Sequence, residues 1–358
     1  MSRAFRVSLV MLLCVLCGFF YKKVGQLTRE PRISSNETHQ PLPPKEPPPP
    51  SFLPISEPYP AFRETTILQD EAYTYTLNLS QHLKEFAYLQ NYTCRLLTSK
   101  EGFCQTNHGD PLLVVAMKSH ATFGDRRAVQ RANWAYERLM YNYIVKPLFL
   151  LGTVTDGKLM SMVLKEEEDF QDILMWDFTE SHHNLALKER CFLEWLYHHC
   201  KEAAFIFKGD DDEFLNPSAM VRYVQKTPNV TRTIHGNIQR HLSVDRQGRN
   251  QVSVELLSAA RLPLFPSGGG YIMPGQVIPA LYRASLRLPV FPLDDVYLGF
   301  LALAAGVPFR HDGRFHSFSV REDLCMFREA IMVHGFLAKN LQNLWVRMRK
   351  PISCDAIA

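Results

Sequence analysis

A chain of 358 residues that is 46% hydrophobic and 11% aromatic has ample material for a sizeable packed core, which excludes an intrinsically disordered protein. Its net charge of +4 is small against 40 basic and 36 acidic side chains, and no long block of like charges occurs. Composition therefore gives no footprint for a nucleic-acid partner.

The N-terminus stands apart from the rest. Arg3 and Arg6 precede the apolar or small run VSLVMLLCVLCGFFY, residues 7–21, and Lys22 and Lys23 close it. A usual membrane span needs roughly 20 apolar residues, so a cleaved secretory signal is the competing reading, but no small-x-small cleavage site follows the run. Flanking Lys and Arg side chains can reach the interface, and membranes early in the secretory route are thinner. The segment reads as an uncleaved signal anchor, with residues 1–6 as a cytoplasmic tail and the bulk of the chain lumenal. Four N-x-S/T sequons, at Asn36, Asn78, Asn91 and Asn229, agree with that compartment. So do six cysteines outside the anchor, Cys94, Cys104, Cys191, Cys200, Cys325 and Cys354, an even number for an oxidising lumen. None of these six forms a C-x-x-C pair, so no zinc site is expected.

Residues 31–60 hold 11 of the 23 prolines and show no hydrophobic periodicity. Such a segment favours extended polyproline conformations and cannot form a core. Residues 22–65 are assigned as a stem and residues 66–358 as the lumenal domain. From about residue 110, apolar strands alternate with amphipathic helices, the pattern of an α/β sheet with parallel strands. PLLVVAMKS (111–119), KPLFLLG (146–152) and DILMWDF (172–178) read as strands; residues 125–139, 158–169 and 184–200 read as helices. AAFIF then runs into the acids Asp210, Asp211, Asp212 and Glu213, with Asn216 and Pro217 as cap and first residue of another helix.

The acid run thus falls at the carboxyl end of a strand, where open α/β sheets place their ligands. A run of acids is ordinarily a solvated turn, but three adjacent Asp repel one another unless a cation or hydrogen-bond donors compensate. An EF-hand loop is a poor fit, because it wants acids at alternate positions around a central Gly and a closing Glu. Asp210 and Asp212 form a D-x-D, and alternate side chains of an extended segment point to one side. Two such carboxylates can hold a hard divalent cation that also bridges a diphosphate.

The segments DRRAVQRANW (125–134), FLLG (149–152), DFQDILMWDFTESHHNLALKE (169–189), FKGDDDEFLN (207–216), FPSGGGYIM (265–273), FPLDDVYLG (291–299) and IMVHG (331–335) resemble, in order and spacing, the β-1,3-glycosyltransferases of glycosyltransferase family 31. The resemblance covers roughly residues 94–354. KGDDD and FPLDDVYLG look more like the β-1,3-N-acetylglucosaminyltransferase branch than the β-1,3-galactosyltransferases, where a Thr and a Glu-Asp-Val are commoner. It implies a GT-A fold, a Rossmann-like α/β architecture, and transfer of a sugar from a UDP-sugar with inversion to form a β-1,3 bond, usually with Mn2+. For the GlcNAc branch the donor is UDP-GlcNAc and the acceptor a galactose-terminated glycan. Residence in the Golgi membrane as a single-pass type II protein follows, and association with itself or with other Golgi transferases is left open. A galactosyl donor, or a member that binds glycans without turnover, are the alternatives.

Carried onto matching positions, Asp210 and Asp212 flank the metal-diphosphate and His334 completes the metal site. Asp295 matches the catalytic aspartate that takes the proton from the acceptor hydroxyl, with Asp294 as its acidic companion. Without the family these two acids read as a helix N-terminus favoured by the macrodipole. Arg127, Arg131 and Lys188, with Asp211 beside the D-x-D, fall on the donor side. The triglycine Gly268, Gly269 and Gly270 reads as a loop that lets backbone approach a ligand, with Tyr271 as a sugar-stacking face and Trp134 in the same acceptor group. The family also implies disulfides Cys94–Cys104 and Cys325–Cys354. Leu301 occupies a position often held by Cys, which leaves Cys200 without its usual partner. Cys191 cannot replace it within one helix, since nine residues at about 1.5 Å each exceed disulfide reach. Further departures are Glu213, where a small apolar residue is usual, Gln130 and Asn133 in the Arg-Trp motif, and His182 at an aromatic position.

Overall fold

A computed structural model describes residues 64–106, 109–227, 229–318, 323–351 and 353–354. The expected tail and anchor, all but the last two residues of the expected stem, and Asn36 lie outside them. No helix among the described residues is long and apolar enough to cross a membrane.

The chain enters as a hairpin, β1 (Thr65–Gln69) and β2 (Thr74–Asn78), followed by helix α1 (Leu79–Asn91). Then come β3 (Leu112–Lys118), α2 (Gly124–Asn133), β4 (Arg138–Met140), β5 (Tyr143–Thr153), α3 (Gly157–Phe170), β6 (Ile173–Thr179), α4 (Leu185–His199) and β7 (Ala203–Asp210). These are followed by β8 (Glu213–Leu215), α5 (Pro217–Lys226), β9 (Ile234–Gln239), β10 (Phe265–Pro274), α6 (Ile278–Ser285) and α7 (Asp294–Ala305). The chain closes with β11 (Phe309–His311), β12 (Phe315–His316), α8 (Leu324–Glu329), β13 (Met332–His334) and α9 (Ala338–Met348).

The central sheet runs β11-β9-β10-β7-β3-β5-β4, with β6 also on β5. β3, β5, β6 and β7 are mutually parallel, while β10 runs antiparallel to β7. All seven residues of β3 are buried, as expected of a central strand covered by helices on both faces. Alternation sends Leu112, Val114 and Ala116 to a core with Phe192, Leu196 and Leu298, and Leu113, Val115 and Met117 to one with Trp134, Met220 and Tyr223. A second sheet, β12-β13-β8, is short, but it joins the end of the acid run to the His334 strand.

The helix expected over 125–139 is shorter. It stops at Asn133, where the amides of Trp134 and Ala135 both donate to the Gln130 carbonyl, and Arg138–Met140 pairs with β5 instead. Sheet pairing overrides a helical pattern there. The cap expected at Asn216 is present: its side chain accepts the Ala219 amide at 3.0 Å, with Pro217 in the first turn. SGGGY, read as a loop, is part of β10, with Gly270 paired to Gly209 and a register irregularity between Pro266 and Tyr271.

The cysteines correct one pairing. Cys94 is bonded to Cys191 and Cys104 to Cys200; only Cys325–Cys354 is as expected. α4 spaces Cys191 and Cys200 too far apart to pair with each other, and each instead staples a different segment of 92–106 to the helix. Cys200 therefore has a partner although Leu301 is not a cysteine. Of the described sequons, Asn91 and Asn229 are exposed and Asn78 is half-buried, with its side chain capping α1.

Candidate active site

The carboxyl ends of β3 and β7 meet at one edge of the sheet. β3 ends on Lys118 and β7 on Asp210, directly paired in register. After Asp210 the chain turns through Asp211 and Asp212 into β8, and the Asp211 amide donates to the Lys118 carbonyl at 3.1 Å. β13 lies antiparallel to β8, so that His334 sits opposite Glu213. The amides of Gly335 and Phe336 then donate to the Asp212 carbonyl, a turn that requires the positive φ of 99° at Gly335. Side-chain chemistry and backbone closure thus converge on the same turn.

Asp210, Asp212 and His334 each offer a ligand atom within 4.8 Å of the others. His334 Nε2 is 3.4 Å from Asp212 Oδ1 and 3.8 Å from Asp210 Oδ2. Asp212 Oδ1 is buried without a hydrogen-bond partner among the described residues. An orphaned carboxylate oxygen beside a second carboxylate and an imidazole fits a divalent cation of the Mn2+ type, which accepts oxygen and nitrogen ligands. Burial and the neighbouring Asp210 push the Asp212 carboxyl up, against the pull of His334 and Arg126.

Asp211 points the other way. It is buried, takes hydrogen bonds from Ser119 Oγ and from Arg126 at 2.8 Å, and burial raises its carboxyl to about 6. It anchors the turn to the β3 loop. Gln130, a departure from the family pattern, ties down the same turn by donating to the carbonyls of Asp211 and Glu213.

The second acid pair opens α7. Asp294 and Asp295 occupy its first turn, where the helix dipole favours negative charge. Asp294 accepts from Lys118 at 3.0 Å and lies 3.7 Å from Lys208, and although burial opposes ionisation these lysines hold it well below the usual carboxylate range. Among the described residues no lysine forms an ion pair with Asp295. Burial, then the charge of Asp294, raise its carboxyl to about 7.

Lys118 joins the two acid pairs. Its Nζ lies 3.1 Å from Asp210 and 3.0 Å from Asp294, and although burial opposes the charge, these acids hold the ammonium well above its ordinary value. The triglycine of β10 fills the space between the pairs. A Cβ on Gly268 would fall 3.6 Å from Asp295 Oδ2 and 3.7 Å from Lys118 Nζ, and one on Gly269 would fall 3.5 Å from the Cβ of His334. The glycines leave a side-chain-free strip running from the cation cradle to Asp295.

Several expected site residues lie elsewhere. Tyr271 is 2% exposed and donates its hydroxyl to Glu189 at 3.0 Å, so it offers no sugar-stacking face. Trp134 is 1% exposed and belongs to the core, its indole N–H donating to Gln130 Oε1. Lys188 is buried on Glu180 and the Ser119 carbonyl, Arg127 on Glu166, Ser119 and the His120 carbonyl, and Arg131 on Glu166 and Asp172. Lys188 and Arg127 brace the loop after β3, and Arg131 ties α2 to α3 and the start of β6. Arg126 is the arginine that reaches the acid run, with Asp211 at 2.8 Å and Asp212 at 3.5 Å. Sequence reading passed over Lys118 and Arg126, although a Lys-Ser at the end of the first strand and a second arginine beside Arg127 were both visible.

A family model described as Galactosyltransferase matches residues 125–313, which span α2 to the turn after β11 and include both acid pairs. The chain belongs to that family. A rat relative, UDP-GlcNAc:betaGal beta-1,3-N-acetylglucosaminyltransferase 7, is 32% identical over 296 residues, covering 78% of this chain and 74% of that protein. The human acetylgalactosaminyl-O-glycosyl-glycoprotein beta-1,3-N-acetylglucosaminyltransferase is 32% identical, covering 68% of each chain. The mouse beta-1,3-galactosyltransferase 1 is 29% identical, covering 74% of this chain and 82% of its own. This galactosyltransferase-family protein is a β-1,3-glycosyltransferase, and its cation cradle and its Asp295 lie at opposite ends of the glycine strip, joined by Lys118.

Proposed function

We propose that the protein is an inverting β-1,3-N-acetylglucosaminyltransferase that moves GlcNAc from UDP-GlcNAc to the 3-hydroxyl of a terminal galactose on a glycoprotein or glycolipid glycan. The observation that carries the mechanism is the pairing of a cation cradle, Asp210, Asp212 and His334, with a separate carboxylate, Asp295, raised to about 7. Inversion in one displacement needs a base on the face opposite the leaving diphosphate. Asp295 fills that role: a carboxylate poised near neutrality takes the proton of the acceptor hydroxyl while that oxygen attacks the anomeric carbon. Asp294, held ionised by Lys118 and Lys208, keeps the proton affinity of Asp295 high. Mn2+ held by Asp210, Asp212 and His334 would offset the charge of the departing UDP. Lys118 adds a fixed positive charge between the two.

The GlcNAc donor is favoured by the relatives named as N-acetylglucosaminyltransferases and by the KGDDD and FPLDDVYLG segments. The apolar run of residues 7–21, the sequons and the disulfides support a Golgi membrane protein with its catalytic domain in the lumen. The test is to incubate the full chain with a panel of UDP-sugars, Mn2+ and lactosamine-type acceptors. GlcNAc transfer to galactose is expected. Galactose transfer alone overturns the donor assignment, and no transfer with any donor overturns the enzymatic reading.

A further inference from the structure

Glu213, which departs from the family resemblance in sequence, has an unusual setting in the structure. The side chain is fully buried, and Oε1 accepts the Asp210 amide at 3.0 Å. Oε2 is buried without any hydrogen-bond partner among the described residues. Strand pairing sets Glu213 directly opposite His334, so the two side chains share one face of the small sheet. Two glycines make room for the carboxyl: a Cβ on Gly209 would fall 2.6 Å from Oε2, and one on Gly269 would fall 3.5 Å from Oε1. The carboxyl therefore sits between Gly209, the residue before the D-x-D turn, and Gly269 of β10.

Fixing the Asp210 amide explains one oxygen and leaves the other without a purpose inside the protein. An unpaired buried carboxyl oxygen destabilises a fold, and such features persist where a site uses them. We propose that Glu213 is a positioning residue of the cation site: its Oε1 holds the Asp210 amide and so fixes Asp210 in the cradle, tightening cation binding, while its unpaired Oε2 destabilises the cation-free protein. This rests on the reading of Asp210, Asp212 and His334 as the cation ligands, which Glu213 supports from behind.

The test is Mn2+ binding to the full chain, followed by electron paramagnetic resonance and by the Mn2+-dependent rise in melting temperature, for wild type, Glu213→Val, Glu213→Gln and Asp212→Asn. Glu213→Val is expected to weaken Mn2+ binding about 10- to 100-fold, the usual effect of losing an outer partner of a metal site. The same variant without Mn2+ is expected to melt above wild type, because the orphaned oxygen is gone. Glu213→Gln keeps an acceptor for the Asp210 amide on a side chain of the same size, and is expected near the lower end of that range. Unchanged Mn2+ affinity in Glu213→Val overturns the proposal, as does a lower cation-free melting temperature; should Glu213→Val fail to fold, wild-type affinity in Glu213→Gln overturns it. A wild-type protein that binds no Mn2+ overturns this inference together with the cation-site reading, and that outcome is distinct from equal binding by all Glu213 variants.

Discussion

The two acid pairs at the sheet edge carry similar charge in different company. Asp294 is matched within the protein by Lys118 and Lys208. The cradle is not matched to that degree: Asp212 keeps a buried oxygen with no hydrogen-bond donor, and so does Glu213 behind it. Asp294 is paired as folded, whereas the cradle keeps an oxygen that a cation would satisfy. The difference assigns them different work. A carboxyl raised toward neutrality by burial and an ionised neighbour, as Asp295 is, suits proton exchange, whereas unmatched oxygens are suited to holding a divalent ion.

That contrast can be broken at either end. The largest expected effect is Asp295→Asn, which removes the base and lowers kcat by about 10²- to 10⁴-fold, measured as GlcNAc transfer under saturating donor and acceptor. Next is Asp212→Asn, which keeps the turn but removes a ligand charge; its Mn2+ affinity, by titration calorimetry, should fall steeply and transfer with it. The pH profile sharpens the other end. With Asp295 raised to about 7 and acting as the proposed base, kcat/KM should fall as pH drops through that value and level off above it. Replacing Asp294 by Asn removes the charge that helps raise Asp295, so the acid limb should move to lower pH. The smallest effect belongs to Tyr271→Phe, which loses one buried hydrogen bond to Glu189, worth about 1 kcal/mol, and should lower the melting temperature while leaving the acceptor KM unchanged.

Periodicity and turn chemistry revealed the α/β architecture, because β3, β5 and β7 are continuous apolar runs and Asn216-Pro217 is a local signal. The D-x-D turn and Asp294–Asp295 took their roles from the family resemblance, because acids beyond a strand or at a helix start read by themselves as a solvated turn or a helix N-terminus. What sequence reading missed depends on long-range packing. Whether Arg126 or Arg127 faces the acids is decided by the rotation of α2, and the single-residue difference sends Arg127 to Glu166. Tyr271 faces inward because β10 pairs with β7, placing its hydroxyl on Glu189 of α4. The Cys94–Cys191 and Cys104–Cys200 bonds join residues 97 and 96 positions apart, a separation at which no local pattern indicates the partner.

The division of labour between the acid pairs is tested most directly by Mn2+ binding to Asp295→Asn, followed by electron paramagnetic resonance in the presence of UDP. The account predicts wild-type Mn2+ affinity in a variant that no longer transfers sugar. Loss of Mn2+ binding in that variant would contradict it, because Asp295 would then belong to the cation site.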